Sequence, residues 1–361
     1  MKASDGPRDL YLTEILGQPA ALRRAGRAVL EQRDGLRRLA ELGDGAEEIV
    51  LTGMGSSYDA CQTVATTLAD AGVLATTVNA AELLHFRQAV LGPRTLLVVV
   101  SQSGESAEVV RLGRQLRTRT ERPRLVAVTN GLASPLAAIA DLVLDTRAGP
   151  ERGPSTMTFA GSLVVLTALT RVLSAGTDAD LGAIASRMAD DAEAAALAAE
   201  RLLTDPEAGG RRLTAWLAER EMLTILGRGV ARAAAEMSAL TLKEAARFPA
   251  ESLESAEFRH GPLELAGPRL AVVIFATEPA TFVLEERLAA ELAGQGAAVL
   301  FVSAGGPTPP GALGVEIGVL ERQLAPAVAI VPLQLLAWQL ALARGLRPGE
   351  FTRASKVTTR E

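Results

Sequence analysis

A β/α alternation that runs once, and starts again 174 residues later, constrains this chain more than any other feature. Gly53 and Gly55 map onto Gly227 and Gly229, the apolar run at Leu96 onto Leu270, and the run at Leu125 onto Val299. A repeat of that length means two copies of one domain, not a solenoid. Short, β-branched apolar runs predict strands at 49–52, 76–79, 96–100, 125–129 and 142–144, and again at 223–226, 270–275 and 298–302. Helical periodicity lies between them, the pattern of a parallel, doubly wound α/β sheet. Two helices are expected before the first strand, the second over 22–42, with a long helical stretch over about 162–203 and a last helix over 331–343. The alanine-rich run 192–199 reads as a closely packing helix. The expected organisation is an N-terminal helical segment (1–45), a first domain (46–200), a second (201–345) and a tail (346–361).

The chemistry starts at Leu96-Leu-Val-Val-Val-Ser-Gln-Ser-Gly-Glu-Ser106. Five apolar residues predict a strand buried on both faces, and Val109, Val110, Leu112 and Leu116 predict the helix that follows. A strand, a small hydroxyl-rich loop and a helix N-terminus make an anion site, because backbone N–H groups, the helix dipole and serine hydroxyls all favour negative charge there. The ligand that fits is a phosphate monoester. Ser103 capping the helix is the structural alternative. Thr52-Gly-Met-Gly-Ser-Ser57 is a second strand-to-helix loop, with glycines that permit close approach of backbone to ligand. It lacks the third glycine of a dinucleotide fingerprint, which argues against NAD. Ligands of open α/β sheets sit beyond the carboxyl ends of the strands, so Ser57, Ser101, Gln102, Ser103 and Ser106 are expected around one crevice. The second copy has Ala276-Thr277-Glu278-Pro279 in place of Ser101-Gln102-Ser103-Gly104, so only the first should bind phosphate.

Composition removes other classes. A net charge of −5 argues against a nucleic-acid partner. No uninterrupted apolar run reaches the length of a membrane span, and the first residues do not read as a signal peptide. With Cys61 the one cysteine there is no internal disulfide and no multi-cysteine metal site, so a cytoplasmic setting is expected. Of 37 basic residues only Lys2, Lys243 and Lys356 are lysines. An internal lysine in such a chain is expected to serve as an amine.

Six further residues call for a reading. Ser155, in Gly153-Pro-Ser-Thr-Met-Thr158, reads as a helix N-cap or a ligand hydroxyl. Thr241 and Glu244 are three apart and share a helix face. His260 precedes Gly-Pro on a turn, whereas His85 reads as half-buried and structural. Cys61 reads as packing.

Taken in order, Gly55-Ser-Ser57, Ser101-Gln-Ser-Gly-Glu-Ser106, Leu242-Lys-Glu244, Arg259-His-Gly-Pro262 and Lys356 resemble the sugar-isomerase (SIS) family, and within it the isomerase half of the synthase-type members. The resemblance extends from Glu14-Ile-Leu-Gly-Gln-Pro19 through Pro332-Leu-Gln-Leu-Leu-Ala337 to the tail. It implies two five-stranded, flavodoxin-like α/β subdomains and a homodimer with sites near the interface. It implies that Ser57, Ser101, Gln102, Ser103, Ser106 and Ser155 hold the phosphate and sugar of a hexose 6-phosphate. Glu244 would move the proton between C1 and C2, His260 of the neighbouring subunit would assist ring opening, and Lys356 would form a Schiff base with the open-chain ketose. No metal or other cofactor is implied. The chemistry agrees: one carboxylate can serve both carbons, imidazole can carry the ring-opening proton, and only an amine makes the imine.

Departures from the family pattern set the expected activity. About 45 residues precede the first strand and the cysteine is internal, so ammonia release from glutamine is not expected. Thr241 stands where synthase-type members have a lysine, and Ser155-Thr-Met157 also lacks a lysine. The expectation is an aminosugar-phosphate deaminase/isomerase. A fructosamine-6-phosphate deglycase, an ammonia-dependent aminating isomerase and a non-catalytic sugar-phosphate sensor are the alternatives.

Overall fold

The structure is a computed structural model and describes residues 9–218 and 220–360. Its centre is a pair of five-stranded sheets, parallel throughout. In the first, β1 (Glu48–Thr52), β2 (Ala75–Thr77), β3 (Thr95–Val100), β4 (Arg124–Thr129) and β5 (Leu142–Asp145) lie in the order β2-β1-β3-β4-β5. In the second, β6 (Met222–Gly227), β7 (Glu251–Glu254), β8 (Leu270–Ala276), β9 (Ala298–Ser303) and β10 (Ala312–Glu316) repeat that order as β7-β6-β8-β9-β10. Register refines the repeat. Glu48 pairs with Thr95 while Met222 pairs with Leu270, so the third strand of the second copy is shifted by one residue and Leu96 corresponds to Ala271. That shift aligns Ala276-Thr277-Glu278-Pro279 with Ser101-Gln102-Ser103-Gly104.

Central strands β3 and β8 are buried at every residue, which is why they read as continuous apolar runs. Among its described residues the N-terminal segment differs from expectation in having three helices, Leu10–Leu16, Gln18–Glu31 and Arg33–Gly43. The second break is at Gln32, whose amide donates to Asp145 O at 2.9 Å and accepts from Asp145 N at 2.8 Å. The expected stretch 162–203 is likewise two helices, Met157–Ala175 and Leu181–Leu202, parted by Gly176 at a positive φ of 64°. The alanine run packs as expected: a Cβ on Gly26 would meet Ala192 Cβ at 2.8 Å, so two helix backbones approach at small residues.

The copies are joined face to face by helices Ser56–Asp70 and Ala231–Ala246. Gln18 and Gln334 exchange side-chain hydrogen bonds of 2.7 and 3.1 Å in the core, tying the N-terminal helices to helix Val331–Ala343. Segments Met157–Asp178 and Ala325–Ala343 are long and apolar enough to cross a membrane, but 72% and 89% of their apolar windows are buried inside the fold. Cys61 is buried as well, and burial pushes its thiol up. His85 is exposed rather than half-buried, on the one-turn π segment Leu83–Arg87.

Candidate functional site

The strand order reverses between β1 and β3, and the loops leaving these two strands form the site. A Cβ on Gly53 would stand 2.8 Å from Val100 O, so only glycine lets the β1 loop lie against β3. Gly104 turns the β3 loop at φ 66°, and a Cβ there would strike Ser134 Oγ. Ser101 Oγ accepts from Gly104 N and Ser103 Oγ from Glu105 N, each at 3.1 Å. These are turn bonds inside the loop, so Ser103 does not cap the following helix, Ala107–Arg117. Ser106 is that helix's N-cap residue and makes no side-chain capping bond.

The β1 and β3 loops and the Pro154-Ser155 loop enclose a small recess of about 80 Å³, lined by Ser57, Ser101, Gln102, Ser103, Ser106 and Ser155. Helices starting at Ser56, Ala107 and Met157 all begin at or beside these residues, so their positive ends converge on it. We predict that Ser101→Ala with Ser103→Ala weakens binding of a hexose 6-phosphate by about 1.5–3 kcal/mol per hydroxyl, read by calorimetry. Equal affinity in variant and parent would remove phosphate from this recess.

The recess opens into a larger cavity of about 280 Å³, which shares Ser56, Ser106, Ser155 and Lys356 with it. Glu244, Glu108 and tail residues Phe351, Ala354 and Thr358 also line it. Glu244 arrives from the second copy, because helix Ala231–Ala246 packs on helix Ser56–Asp70; Leu240 Cδ2 lies 3.7 Å from where a Gly55 Cβ would be. Burial raises the Glu244 carboxyl above its usual 4.5, Lys356 opposes that, Glu151 adds to it and Lys243 opposes it. Thr241 is buried on the same helix, whereas Lys243 is exposed.

The tail supplies Lys356 and is held at several points. Thr358 O accepts from Ala107 N at 3.0 Å, and Thr352 Oγ1 accepts from Arg247 Nη2 at 2.9 Å. Lys356 Nζ donates to Glu151 Oε2 at 2.6 Å. It is the one basic side chain lining the cavity or its recess among the described residues.

Sequence reasoning missed Glu151. This carboxylate, rather than Ser155, caps helix Met157–Ala175: Oε1 accepts from Thr156 N at 2.8 Å, Thr156 Oγ1 at 2.9 Å and Thr158 N at 3.1 Å, and Oε2 accepts from Thr158 Oγ1. Ser155 Oγ instead pairs with Thr158 Oγ1 at 2.8 Å. The available signal was a Glu five and seven residues before two threonines at the head of a long apolar helix. Glu14 was also missed as a scaffold: it accepts from Arg152 N at 2.6 Å and Gly153 N at 3.0 Å, fixing the loop that carries Glu151 and Ser155.

Two expected features stand apart from the cleft. His260 is exposed on its turn and does not line the cavity formed by its own chain. In the second copy, Glu278 takes the place of Ser103, is buried, and is paired with Arg322 at 2.6 Å. An internal anion already stands where the first copy offers hydroxyls.

Comparison with known proteins agrees with the fold. The SIS domain family matches residues 45–171 and 217–344. A glutamine–fructose-6-phosphate aminotransferase (isomerizing) of Aeropyrum pernix is 32% identical over 97% of this chain, which spans 57% of that relative. The solved C-terminal domain of glucosamine-fructose-6-phosphate aminotransferase from Francisella tularensis has a TM-score of 0.82 at 25% identity, covering 95% of this chain and 98% of that one. A glucosamine-6-phosphate deaminase from Thermotoga maritima shares the fold at 22% identity and a TM-score of 0.68, covering 92% of this chain and 99% of that one. With two matched segments on two sheets of one topology, the chain belongs to the SIS domain family.

Proposed function

We propose that this protein is an aminosugar-phosphate deaminase/isomerase, converting a hexosamine 6-phosphate and water to a ketohexose 6-phosphate and ammonia. The observation that carries the reading is one continuous cleft with a serine cradle at one end, Glu244 in the larger cavity beyond it, and Lys356 lining both. The cradle holds the phosphate. Glu244 removes the C2 proton of the open-chain sugar and returns it to C1, which leaves an imine at C2. Lys356 adds to C2 and expels ammonia, and water then hydrolyses the lysyl imine to release the ketose. Glu151 Oε2, at 2.6 Å from Nζ, is placed to accept the ammonium proton before attack. Run backwards, the same groups aminate a ketohexose 6-phosphate. A pure sensor has no use for a base and an amine at the reacting end of its cleft.

A panel of hexosamine and fructosamine 6-phosphates, with ammonia and ketose both quantified, tests the reading. Ammonia release with ketose formation from a hexosamine 6-phosphate supports it. Amino-acid release from a fructosamine 6-phosphate replaces it with a deglycase, and binding without turnover replaces it with a sensor.

The remote position of His260 fits a homodimer in which each site borrows this imidazole from the other subunit. Mixing Glu244→Gln chains with His260→Ala chains then restores up to about a quarter to half of the parental activity, because hybrid dimers contain one site free of both substitutions. No rescue, with hybrids shown to form, means each site is built from one chain.

A further inference from the structure

Beneath the cleft lies a polar layer that the proposed chemistry does not use. Tyr11, in helix Leu10–Leu16, has no exposed surface, and Thr241 is 1% exposed. Among the described residues neither hydroxyl has a hydrogen-bond partner of ordinary geometry. Thr241 Oγ1 nevertheless lies within electrostatic reach of the phenol. Thr241 precedes Glu244 by three residues on one helix, so the two side chains share a face. The tail closes on Tyr11 from the other side, where a Cβ on Gly349 would stand 2.9 Å from Tyr11 Cβ. Buried tyrosines ordinarily satisfy their hydroxyl, and phenylalanine fills a purely apolar site at no such cost. Two unsatisfied hydroxyls side by side, one helical turn from the base, therefore point to a shared task.

We propose that Tyr11 and Thr241 form a hydrogen-bond chain into Glu244, with Tyr11 O–H donating to Thr241 Oγ1 and Thr241 O–H, after a turn of its side chain, donating to the Glu244 carboxylate. This rests on reading Glu244 as the base. Both are positioning residues: they orient the carboxylate and favour its charged form. The charged or titratable groups facing Glu244 are Lys356, Glu151, Lys243 and Asp59, and those facing Tyr11 are Glu244, Glu151 and Glu14. Burial and these carboxylates push the phenol well up, so it acts as a donor and does not ionise.

The test uses Tyr11→Phe and Thr241→Val, singly and together, with Thr241→Ser as the conservative variant. The ¹³C carboxyl signal of Glu244, identified by its loss in Glu244→Gln, is titrated with and without fructose 6-phosphate. Exchange of the sugar C2 proton is followed against pH. Each single variant should raise the Glu244 midpoint by about half a pH unit or more and carry the acid limb of the rate with it. The same variants should lower kcat roughly three- to tenfold with little change in KM. The double variant should be no worse than either single one, and Thr241→Ser should behave as the parent. Parental midpoints and kinetics in both single variants, with a higher Tm for Tyr11→Phe, would overturn the proposal and leave Tyr11 as packing. Titration needs no turnover, so a parent inactive on every sugar refutes the base reading while the hydrogen-bond chain is still tested.

Discussion

Lys356→Arg is expected to abolish borohydride trapping of a ketohexose 6-phosphate and to lower deamination on the order of a thousandfold or more, the scale of losing an attacking nucleophile. Its phosphate binding should stay close to that of the parent, because arginine keeps a cation where Lys356 lines the serine recess, and the Ser101 and Ser103 turn bonds that shape the β3 loop do not involve residue 356. Arginine is the informative replacement. It keeps a cation against Glu151, whose carboxylate is buried and would otherwise face the cavity without a positive partner. A guanidinium does not deprotonate in proteins and cannot form the imine. A fall in turnover with retained binding and a retained fold therefore reports lost chemistry and not a collapsed site. Peptide mapping after reduction should place the parental adduct on Lys356, and Lys243 should carry none, since it is exposed and lines neither the cavity nor its recess. Turnover like the parent's in Lys356→Arg would reduce the tail to a lid and leave the reaction to Glu244 and His260.

How much of this was legible in the sequence follows from where each residue sits. Strands β1, β3, β4, β6, β8 and β9 are buried nearly throughout, so their side chains are almost uniformly apolar. Edge strands β7 and β10 escaped notice. Glu251-Ser-Leu-Glu254 and Ala312–Glu316 each pair on one side only and contain no fully buried residue, so pairing rather than apolar content makes them strands. The break at Gln32 was invisible because its cause, a bond to the backbone of Asp145, is 113 residues away. The serines were legible since a hydroxyl-rich loop between strand and helix has one good physical reading. Glu151 was not, because its partners are two threonines ahead of it and a lysine 205 residues later. Lys356 was found through the scarcity of lysine and the order of motifs, and its ion pair had no local signal at all.

The Glu244→Gln variant should lose about 10²- to 10⁴-fold in exchange of the sugar C2 proton, the range for removing a positioned general base. It should also be more stable than the parent at neutral pH. Both expectations come from the same burial. Leaving water costs the charged form, so the carboxyl of the folded protein titrates above the 4.5 it has in the unfolded chain, although Lys356 pulls it back. Between those two values the native state holds a proton that the unfolded state has released. Stability contributed at this position therefore falls as pH rises through the window. Below pH 4.5 both states are protonated and the contribution vanishes. Glutamine removes the charge and with it the penalty, so the Tm difference between variant and parent should be positive at pH 7 to 8 and shrink towards zero on acidification. The rate runs the opposite way. A base works only when deprotonated, so parental exchange should fall as pH drops through the raised value, with its acid limb above the ordinary glutamate range. Asp59 and Glu14 are raised by burial too, so acid stabilisation remains in the variant, and only its Glu244 share disappears. An unchanged Tm alongside lost exchange would mean that the Lys356 ammonium compensates Glu244 fully in solution. Retained exchange would move the base to another carboxylate of the cavity, and Glu108, buried and lining the same cavity, is the one in position.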